Sequence, residues 1–495
     1  MSKQAPDLGM LRELWRYRRF ARRQLRLLLG GVALRFGELA ADLAAPWPLA
    51  LVIDHALTGT RPAGVAGSVA TAFGTGPVAM LIAAAVAVLV ITMLSGAFDY
   101  LGDRSMNSAG ERITSEIRAE VFHHMLRLPM CYHDRQAVGE LTTRVATDTG
   151  RIEDGMVDIF SVLIPGLLSM TGFAAVLLTL NWRLGLVALA IAPVLFFSSA
   201  RYTRLTRQSA RRRRTAEGEM SGFVAESLQG VRTVHAFGRH SEHDRRFAES
   251  NEKVLGAGLR AVDLRARFTP ILESVSAIGT ASLLFLGGYG ALRGWWTVGV
   301  LVIGTSYLRD MLKPLRAMSK LALTFTNGAA SAERVAAVLD SPRRSGRPRS
   351  EVPNRVTGAI ELRNVVLDYG RGAVLEELNV HVRPGDRVAL LGPNGAGKSS
   401  ILSLIAGLYE PSGGQVCLDA IPITEVADTW LHRQVAVLLQ DTYLFAGSLA
   451  DNIRYGRPDA TDEDVCRAAE VALVTEFSAT LPEGLGTLVD SGGTG

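Results

Sequence analysis

The chain has 495 residues, of which 48% are hydrophobic and 20% charged, with a formal net charge of +5. This length exceeds the usual size of a single domain. The arginines lie beside long apolar runs and are not interleaved with aromatic residues on one surface, which argues against nucleic-acid binding and favours a membrane protein. Three widely spaced cysteines without a Cys-x-x-Cys pair predict neither a metal site nor a disulfide framework.

The N-terminal residues 1–26 are basic and amphipathic. Leu14, Trp15 and Phe20 are set among many arginines, a pattern typical of a helix that lies in the membrane interface. The stretch lacks both an uninterrupted apolar core and a small-residue cleavage site, so we expect no cleavable signal peptide.

Residues 27–340 are predicted to form an all-α transmembrane domain with six spans. A helix needs about 20 apolar residues to cross a bilayer. The segments that approach this length are 27–53, 77–98, 159–180, 184–200, 271–292 and 296–319.

The distribution of Lys and Arg predicts the topology. Residues 1–26 hold eight of them, residues 99–158 seven and residues 201–267 fifteen, whereas each predicted outer loop holds one. Positive residues accumulate on the cytoplasmic side of membrane proteins. We therefore predict a multi-pass protein of the inner (plasma) membrane, with both termini in the cytoplasm and the lipid bilayer as a partner.

The cytoplasmic segments are predicted to be long helical extensions. One apolar stripe recurs at helical spacing: Ile113, Ile117, Val121, Met125 and Leu128. Two helical hairpins would project from the membrane, with their tips near residues 131–140 and 227–238.

Charged residues within the predicted spans suggest a polar cavity. Arg35, Glu38 and Asp42 follow one helix face at i, i+3 and i+7. Three residues of later spans are predicted to join them: Glu273, Arg309 and Asp310. Charges inside membranes usually face a bundle interior or a water-filled cavity, which favours substrate binding. The alternative is local neutralisation, of Arg35 by Glu38 and of Asp310 by Arg309 or Lys313, or snorkelling to the inner surface.

Residues 341–357 hold five Arg and three Pro, the composition of an exposed linker. Residues 358–495 are predicted to form an α/β P-loop nucleotide-binding domain. Strands are expected at 359–367, 388–391 and 434–439, and Thr461 to Asp464 resembles a capping box that opens a helix.

The segment Gly392-Pro-Asn-Gly-Ala-Gly-Lys398-Ser399 fits the G-x-x-x-x-G-K-[ST] phosphate loop. Glycines let backbone N–H groups turn towards phosphate oxygens, Lys398 adds a positive charge, and the Ser399 hydroxyl can hold Mg²⁺. The predicted nucleotide-binding residues are Gly392, Asn394, Gly395, Ala396, Gly397, Lys398, Ser399 and Ser400.

These features together resemble an ATP-binding cassette exporter half-transporter over nearly the whole chain. The motifs that carry the resemblance are Leu126-Arg-Leu-Pro129, Gly139-Glu-Leu, Leu180-Asn-Trp-Arg183, Glu333-Arg334-Val, Leu339-Asp340, the phosphate loop, Gln440-Asp-Thr-Tyr-Leu-Phe445 and Asp451-Asn-Ile-Arg-Tyr-Gly456.

The resemblance implies ATP and Mg²⁺ as cofactors. Tyr369 matches the aromatic residue that stacks on adenine, with an ordinary strand-end tyrosine as the alternative. Gln440 matches the glutamine that contacts Mg²⁺, with a polar residue after a strand as the alternative. The two cytoplasmic tips match the coupling helices that dock onto nucleotide domains.

The resemblance also implies a second half-transporter as partner, in a homodimer or heterodimer, and export of a small molecule, lipid or drug. The sequence departs from the family at Gly495, about where the Leu-Ser-Gly-Gly-Gln signature begins. The catalytic residues are therefore unknown, and a truncated sequence is expected. The alternative function is a non-hydrolysing partner subunit of a heterodimeric transporter.

Overall fold

The structure is a computed structural model that describes residues 13–57, 77–342, 352–353, 355–370, 372–440, 443–490 and 492. Its backbone contacts divide the chain into two units. One comprises Met1–Leu128 and Tyr132–Arg343, and the other Pro129–Cys131 and Arg344–Gly495. Residues 1–12 of the predicted interfacial helix and residues 343–351 and 354 of the predicted linker lie outside the described residues.

The first unit is helical. Its helices are α1 (Arg18–Arg23), α2 (Leu25–Ala44), α3 (Trp47–Leu51), α4 (Pro77–Met125), α5 (Met130–His133), α6 (Val138–Thr143), α7 (Thr149–Asp158), α8 (Ile164–Leu180), α9 (Trp182–Gln229), α10 (Val231–Ala236), α11 (His240–Leu292) and α12 (Val298–Leu339). Turns of π-helix occupy Val52–Leu57, Arg144–Asp148 and Ile159–Leu163.

Within the described residues, three helical stretches have the length and hydropathy needed to cross a membrane: Val78–Met125, Val138–Leu180 and Glu273–Leu292. The other three predicted spans also overlap helices, namely α2, α9 and α12. The transmembrane unit is therefore helical, as predicted, and the count of six spans stays a prediction.

The predicted apolar stripe on α4 is confirmed as a buried helix face. Ile113, Ile117 and Val121 are fully buried in a core that also includes residues of α7 and α12. Leu14 and Phe20 pack in the same core, so protein covers these two side chains that the sequence predicted at the lipid interface. Trp15 of that segment stays 63% exposed.

The second unit contains an antiparallel sheet in the order β2-β1-β3-β4. Its strands are β1 (Ile360–Asp368), β2 (Ala373–Val382), β3 (Gly413–Leu418) and β4 (Ile421–Pro422), and a separate pair comprises β5 (Gly447–Ser448) and β6 (Leu488–Val489). Its helices are α13 (Lys398–Ile405), α14 (Asp428–Gln434), α15 (Leu449–Arg454), α16 (Asp462–Val471) and α17 (Val474–Ser478), with single 3-10 turns at Ile423–Glu425 and Gly484–Gly486.

Two local predictions in this unit are confirmed. The alternating segment 359–367 forms β1, whose residues Leu362, Val365 and Leu367 are buried in the core. Thr461 and Asp464 form the predicted capping box, in which each side chain accepts from the backbone N–H of the other residue.

The predicted strands at 388–391 and 434–439 are wrong in this structure. Neither segment is paired with a strand among the described residues, and Gln434 ends α14. Leu391 and Leu438 are 91% and 93% exposed. An extended apolar segment becomes a strand only when a neighbouring strand satisfies its backbone groups. The apolar composition of these two segments was therefore not enough to predict strands.

Candidate functional site

The predicted phosphate loop leads directly into the first turn of α13. Gly397 precedes Lys398 with a left-handed φ of 80°, and Gly395 has a φ of 85°. Residues with a Cβ rarely adopt these angles, so both turns depend on glycine. The start of a helix carries unsatisfied N–H groups and the positive end of the helix dipole, which together attract an anion.

The loop is also packed against the sheet at Gly397. A Cβ at this position would lie 2.6 Å from Cδ2 of Leu375, a buried residue of β2. Gly397 is therefore required both by its backbone angle and by the close approach of Leu375. The hydrophobic core of the sheet thus fixes the point where loop and helix meet.

The polar groups of the loop are arranged around Lys398. Its Nζ donates to the carbonyl oxygens of Gly392 and Pro393, at 2.8 and 2.7 Å, which closes the loop onto the start of α13. Ser399 is exposed, and Ser400 is partly buried. The remaining predicted loop residues, Asn394, Gly395 and Ala396, are exposed. A partly exposed ammonium group beside a helix N-terminus suits a polyphosphate ligand.

Tyr369 lies next to this loop. It follows the last residue of β1, and its hydroxyl donates to Oγ of Ser400 at 3.1 Å. Its ring meets that of Tyr409 edge to face, with 5.1 Å between the centroids. The structure therefore places the predicted adenine-stacking tyrosine beside the phosphate loop, although the two are separated by more than twenty residues of sequence.

Gln440 is exposed, and no hydrogen bond joins it to the phosphate loop in the part of the chain that the structure describes. The two residues that follow it lie outside the described residues. Its predicted contact with Mg²⁺ stays a prediction.

The predicted cavity residues of α2 belong to a larger charged group. Arg35 Nη1 donates to Oε2 of Glu38 at 2.5 Å, and the same guanidinium also pairs with Asp99 and Asp103 of α4. The Arg35 side chain is only 13% exposed. For Arg35, the structure therefore agrees with the alternative of local neutralisation by Glu38.

Asp42 links this group to α12. Ser95 donates to Oδ1 of Asp42 at 2.8 Å, and Asp42 interacts electrostatically with Asp310 and Lys313. Nζ of Lys313 lies 2.8 Å from Oδ1 of Asp310. We call the following residues the acidic cluster: Arg35, Glu38, Asp42, Asp99, Asp103, Asp310 and Lys313.

Two of the predicted cavity residues do not join the acidic cluster. Glu273 and Arg309 are exposed, and no ion pair connects either of them with the cluster among the described residues. The structure therefore brings together four of the six predicted cavity residues, from α2 and α12.

Sequence reasoning missed a buried network at the other end of α12. Asp148 Oδ2 accepts from Nε of Arg334 at 2.8 Å, and Oδ1 accepts from Nη2 of Arg334 at 2.6 Å and from Oγ of Ser331 at 2.9 Å. Burial raises the pKa of Asp148, but the bonds from Arg334 and Ser331 outweigh it and hold that pKa below its usual range.

Arg144 forms a second network four residues earlier. Its Nη1 donates to the hydroxyl of Tyr132 at 2.7 Å, and its Nη2 donates to Gln136 Oε1 at 3.1 Å and Glu140 Oε1 at 2.5 Å. Glu140 and Arg144 are four residues apart, a spacing at which opposite charges meet on a helix, and this spacing was the available signal in the sequence. The spacing does not identify Tyr132 and Gln136 as the other partners of Arg144.

Among the residues that the structure describes, no ion pair joins Glu153 of α7 to a cation. This glutamate lies against Gly110, where a Cβ would be 2.0 Å from Glu153 Oε1. Burial, followed by the charges of Asp154 and Glu111, raises the pKa of Glu153 to about 7. Other groups that face it are Thr114 and Asp158.

Models of known protein families match parts of both units. A family model described as the ABC transporter transmembrane region matches residues 28–315, and one described as ABC transporter matches residues 375–486.

The chain is also similar to individual bacterial proteins. The uncharacterized ABC transporter ATP-binding protein YfiC of Bacillus subtilis (strain 168) is 29% identical over 489 residues, which cover 98% of this chain and 78% of that protein. The fatty acid ABC transporter ATP-binding/permease protein of Mycobacterium bovis is 32% identical over 391 residues, covering 79% of this chain and 62% of that protein. A solved bacterial Atm1-family ABC exporter with ATP bound shares the fold, with a TM-score of 0.74 and 24% identity over 94% of this chain and 80% of that one.

Proposed function

Because the chain belongs to the ABC transporter family, we propose that it is an exporter subunit that couples ATP binding and hydrolysis to outward transport of an amphiphilic molecule. The observation that carries this proposal is the combination, in one chain, of a multi-pass helical unit and the loop around Lys398 at the start of α13. A phosphate loop on an isolated domain would not connect nucleotide binding with transport.

The residues present fit ATP with Mg²⁺. The left-handed glycines leave the loop without side chains at its turns, and Lys398 provides the charge for the outer phosphates. Tyr369 would stack on adenine, and Ser399 and Gln440 would hold Mg²⁺. Bound ATP supplies the phosphoanhydride whose cleavage resets the transporter. No residue is proposed as the general base.

The proposed organisation follows the family. Residues 1–26 form the N-terminal helix, 27–340 the six-span domain, 341–357 the linker and 358–495 nucleotide-binding sequence. The protein works as a homodimer or heterodimer in the inner membrane, with both termini in the cytoplasm.

The proposed substrate is a lipid or another amphiphile. One relative in the comparison is named as a fatty acid transporter, which supports a lipid-like molecule. The acidic cluster supports a positively charged head group, because its carboxylates outnumber its cations. Parallel export assays with palmitate and with the cation ethidium separate the two.

The test uses the full-length protein from its own gene, in inside-out vesicles. We expect vanadate-sensitive ATP hydrolysis and export of one of the two probes, and loss of both in Lys398→Ala. Lys253→Ala, at an exposed lysine of α11, is the matched control and should keep both activities. Hydrolysis that survives in Lys398→Ala would overturn the assigned site. Hydrolysis that requires a second, different subunit would favour the alternative of a non-hydrolysing partner.

A further inference from the structure

The π-helical turn Arg144–Asp148 carries a buried charged residue at each end. Arg144 is 8% exposed and Asp148 is 1% exposed. Burial of a charge is costly unless it is paired and hydrogen-bonded, so the fold has a reason to keep both. Single turns of π-helix inside α-helices frequently occur at functional sites.

Arg144, at the first end of the turn, binds the segment 130–143 that precedes it. This segment contains α5 and α6, and we call it the tip segment. The Arg144 guanidinium donates to three of its side chains, namely Tyr132, Gln136 and Glu140. The planar fork of arginine binds several acceptors with a small loss of side-chain freedom. One guanidinium therefore fixes both short helices of the tip segment relative to the helix that follows.

The second end of the turn holds the last turns of α12. Asp148 accepts two bonds from Arg334 and one from Ser331, which is fully buried. Nearby, α7 and α12 approach so closely that a Cβ on Gly328 would lie 2.8 Å from the carbonyl oxygen of Arg151. The turn is thus locked to the end of the helix that leads into the linker.

We propose that Arg144 and Asp148 are positioning residues that make the tip segment and the end of α12 move as one element. This inference rests on the proposed function and on the resemblance of the tip segment to the coupling helices of the family. A displacement of the tip segment by nucleotide would pass through Arg144, along one π-turn, to Asp148 and the last membrane helix. Nε of Arg144 is buried without an acceptor among the described residues, which leaves a donor free for a different arrangement of the tip segment.

The test is hydrogen exchange measured by mass spectrometry on the full-length protein, with and without ATP and vanadate. In the wild-type protein we expect nucleotide to change exchange in peptides around residues 392–405 and also in peptides from the membrane helices. In Arg144→Lys and in Asp148→Asn we expect the first change to remain and the second to be lost. Lysine keeps the charge of Arg144 but lacks the planar fork whose two terminal nitrogens reach the three acceptors.

Arg213→Lys is the matched control, since Arg213 forms an exposed i,i+4 ion pair with Glu217 on α9. It should behave as the wild type. Tyr132→Phe, which removes a single bond, should give a partial loss and serves if the stronger variants fail to fold. A membrane response in Arg144→Lys, Asp148→Asn or Tyr132→Phe equal to that of the wild type overturns the inference. A wild type without any response at 392–405 instead overturns the proposed function.

Discussion

The helical unit contains two groups of charged residues, and the two groups differ in their balance of positive and negative charge. The acidic cluster sets two cations against five carboxylates. The network at Asp148 sets one carboxylate against the fork of Arg334, the Ser331 hydroxyl and, at 3.9 Å, the Arg151 guanidinium. The first has a surplus of negative charge, whereas in the second the single carboxylate is fully compensated by cations.

Burial explains this difference. Asp99 and Asp103 of the acidic cluster are 53% and 55% exposed, so water can solvate their surplus charge. Asp148 is 1% exposed and depends on its partners. A matched, buried group is suited to holding helices together, whereas a solvated surplus is suited to attracting a cation. The following predictions test this contrast through stability, from the largest expected effect to the smallest.

Asp148→Ala should cause the largest loss. It removes three hydrogen bonds and leaves the buried Ser331 hydroxyl without its acceptor, which we expect to cost about 2–3 kcal/mol. The measurement is the thermal unfolding midpoint of the detergent-solubilised protein. Asp263→Ala, which breaks an exposed pair with Arg267, is the control and should change stability by less than about 1 kcal/mol. Equal losses in both variants would remove the distinction between matched and exposed pairs.

Tyr132→Phe should cost less, about 1 kcal/mol, because it removes one bond to the Arg144 guanidinium and keeps the ring. The same unfolding assay measures it. Combining it with Glu140→Gln gives a double-mutant cycle. Strictly additive losses would contradict a shared network around Arg144.

Glu153→Gln should change the dependence of stability on pH. The folded-state pKa of Glu153 is raised to about 7, so the folded protein favours the protonated form. The contribution to stability is complete below the unfolded pKa and is lost as the pH rises through about 7. The unfolding midpoint of the wild type should therefore fall between about pH 5 and pH 8, and that of Glu153→Gln should fall less. Glu217→Gln, at a position of α9 where the side chain is 39% exposed, should keep the wild-type profile; a wild-type profile in Glu153→Gln would contradict the assignment.

Glu38→Gln combined with Asp42→Asn should have the smallest effect on stability, within about 0.5 kcal/mol, because the cluster retains carboxylates for Arg35. Its effect should lie in selectivity, as lower export of ethidium relative to palmitate in vesicles. Unchanged export of both probes would reject the cluster as a substrate site.

The sequence predicted local features well. The phosphate loop, the buried stripe of α4 and the capping box at Thr461 all depend on short-range patterns, and the structure contains each of them. The charges at i, i+3 and i+7 on α2 also pointed to a real cluster.

Long-range pairings could not be predicted in this way. Arg334 lies 186 residues from Asp148, and nothing in either segment specifies the other. The same limit explains the wrong strands at 388–391 and 434–439, because a strand depends on a neighbour as well as on its own residues. The partners of Arg144 needed the conformation of the tip segment.

The contact between Gly397 and Leu375 makes the nucleotide loop a sensor of the sheet. Leu375 belongs to the hydrophobic core of β2, so anything that loosens that core withdraws support from the loop. Linkage makes the effect reciprocal: a ligand that binds only the ordered loop stabilises the sheet behind it. Nucleotide bound at this loop, as proposed, would therefore raise the free energy of unfolding of this unit.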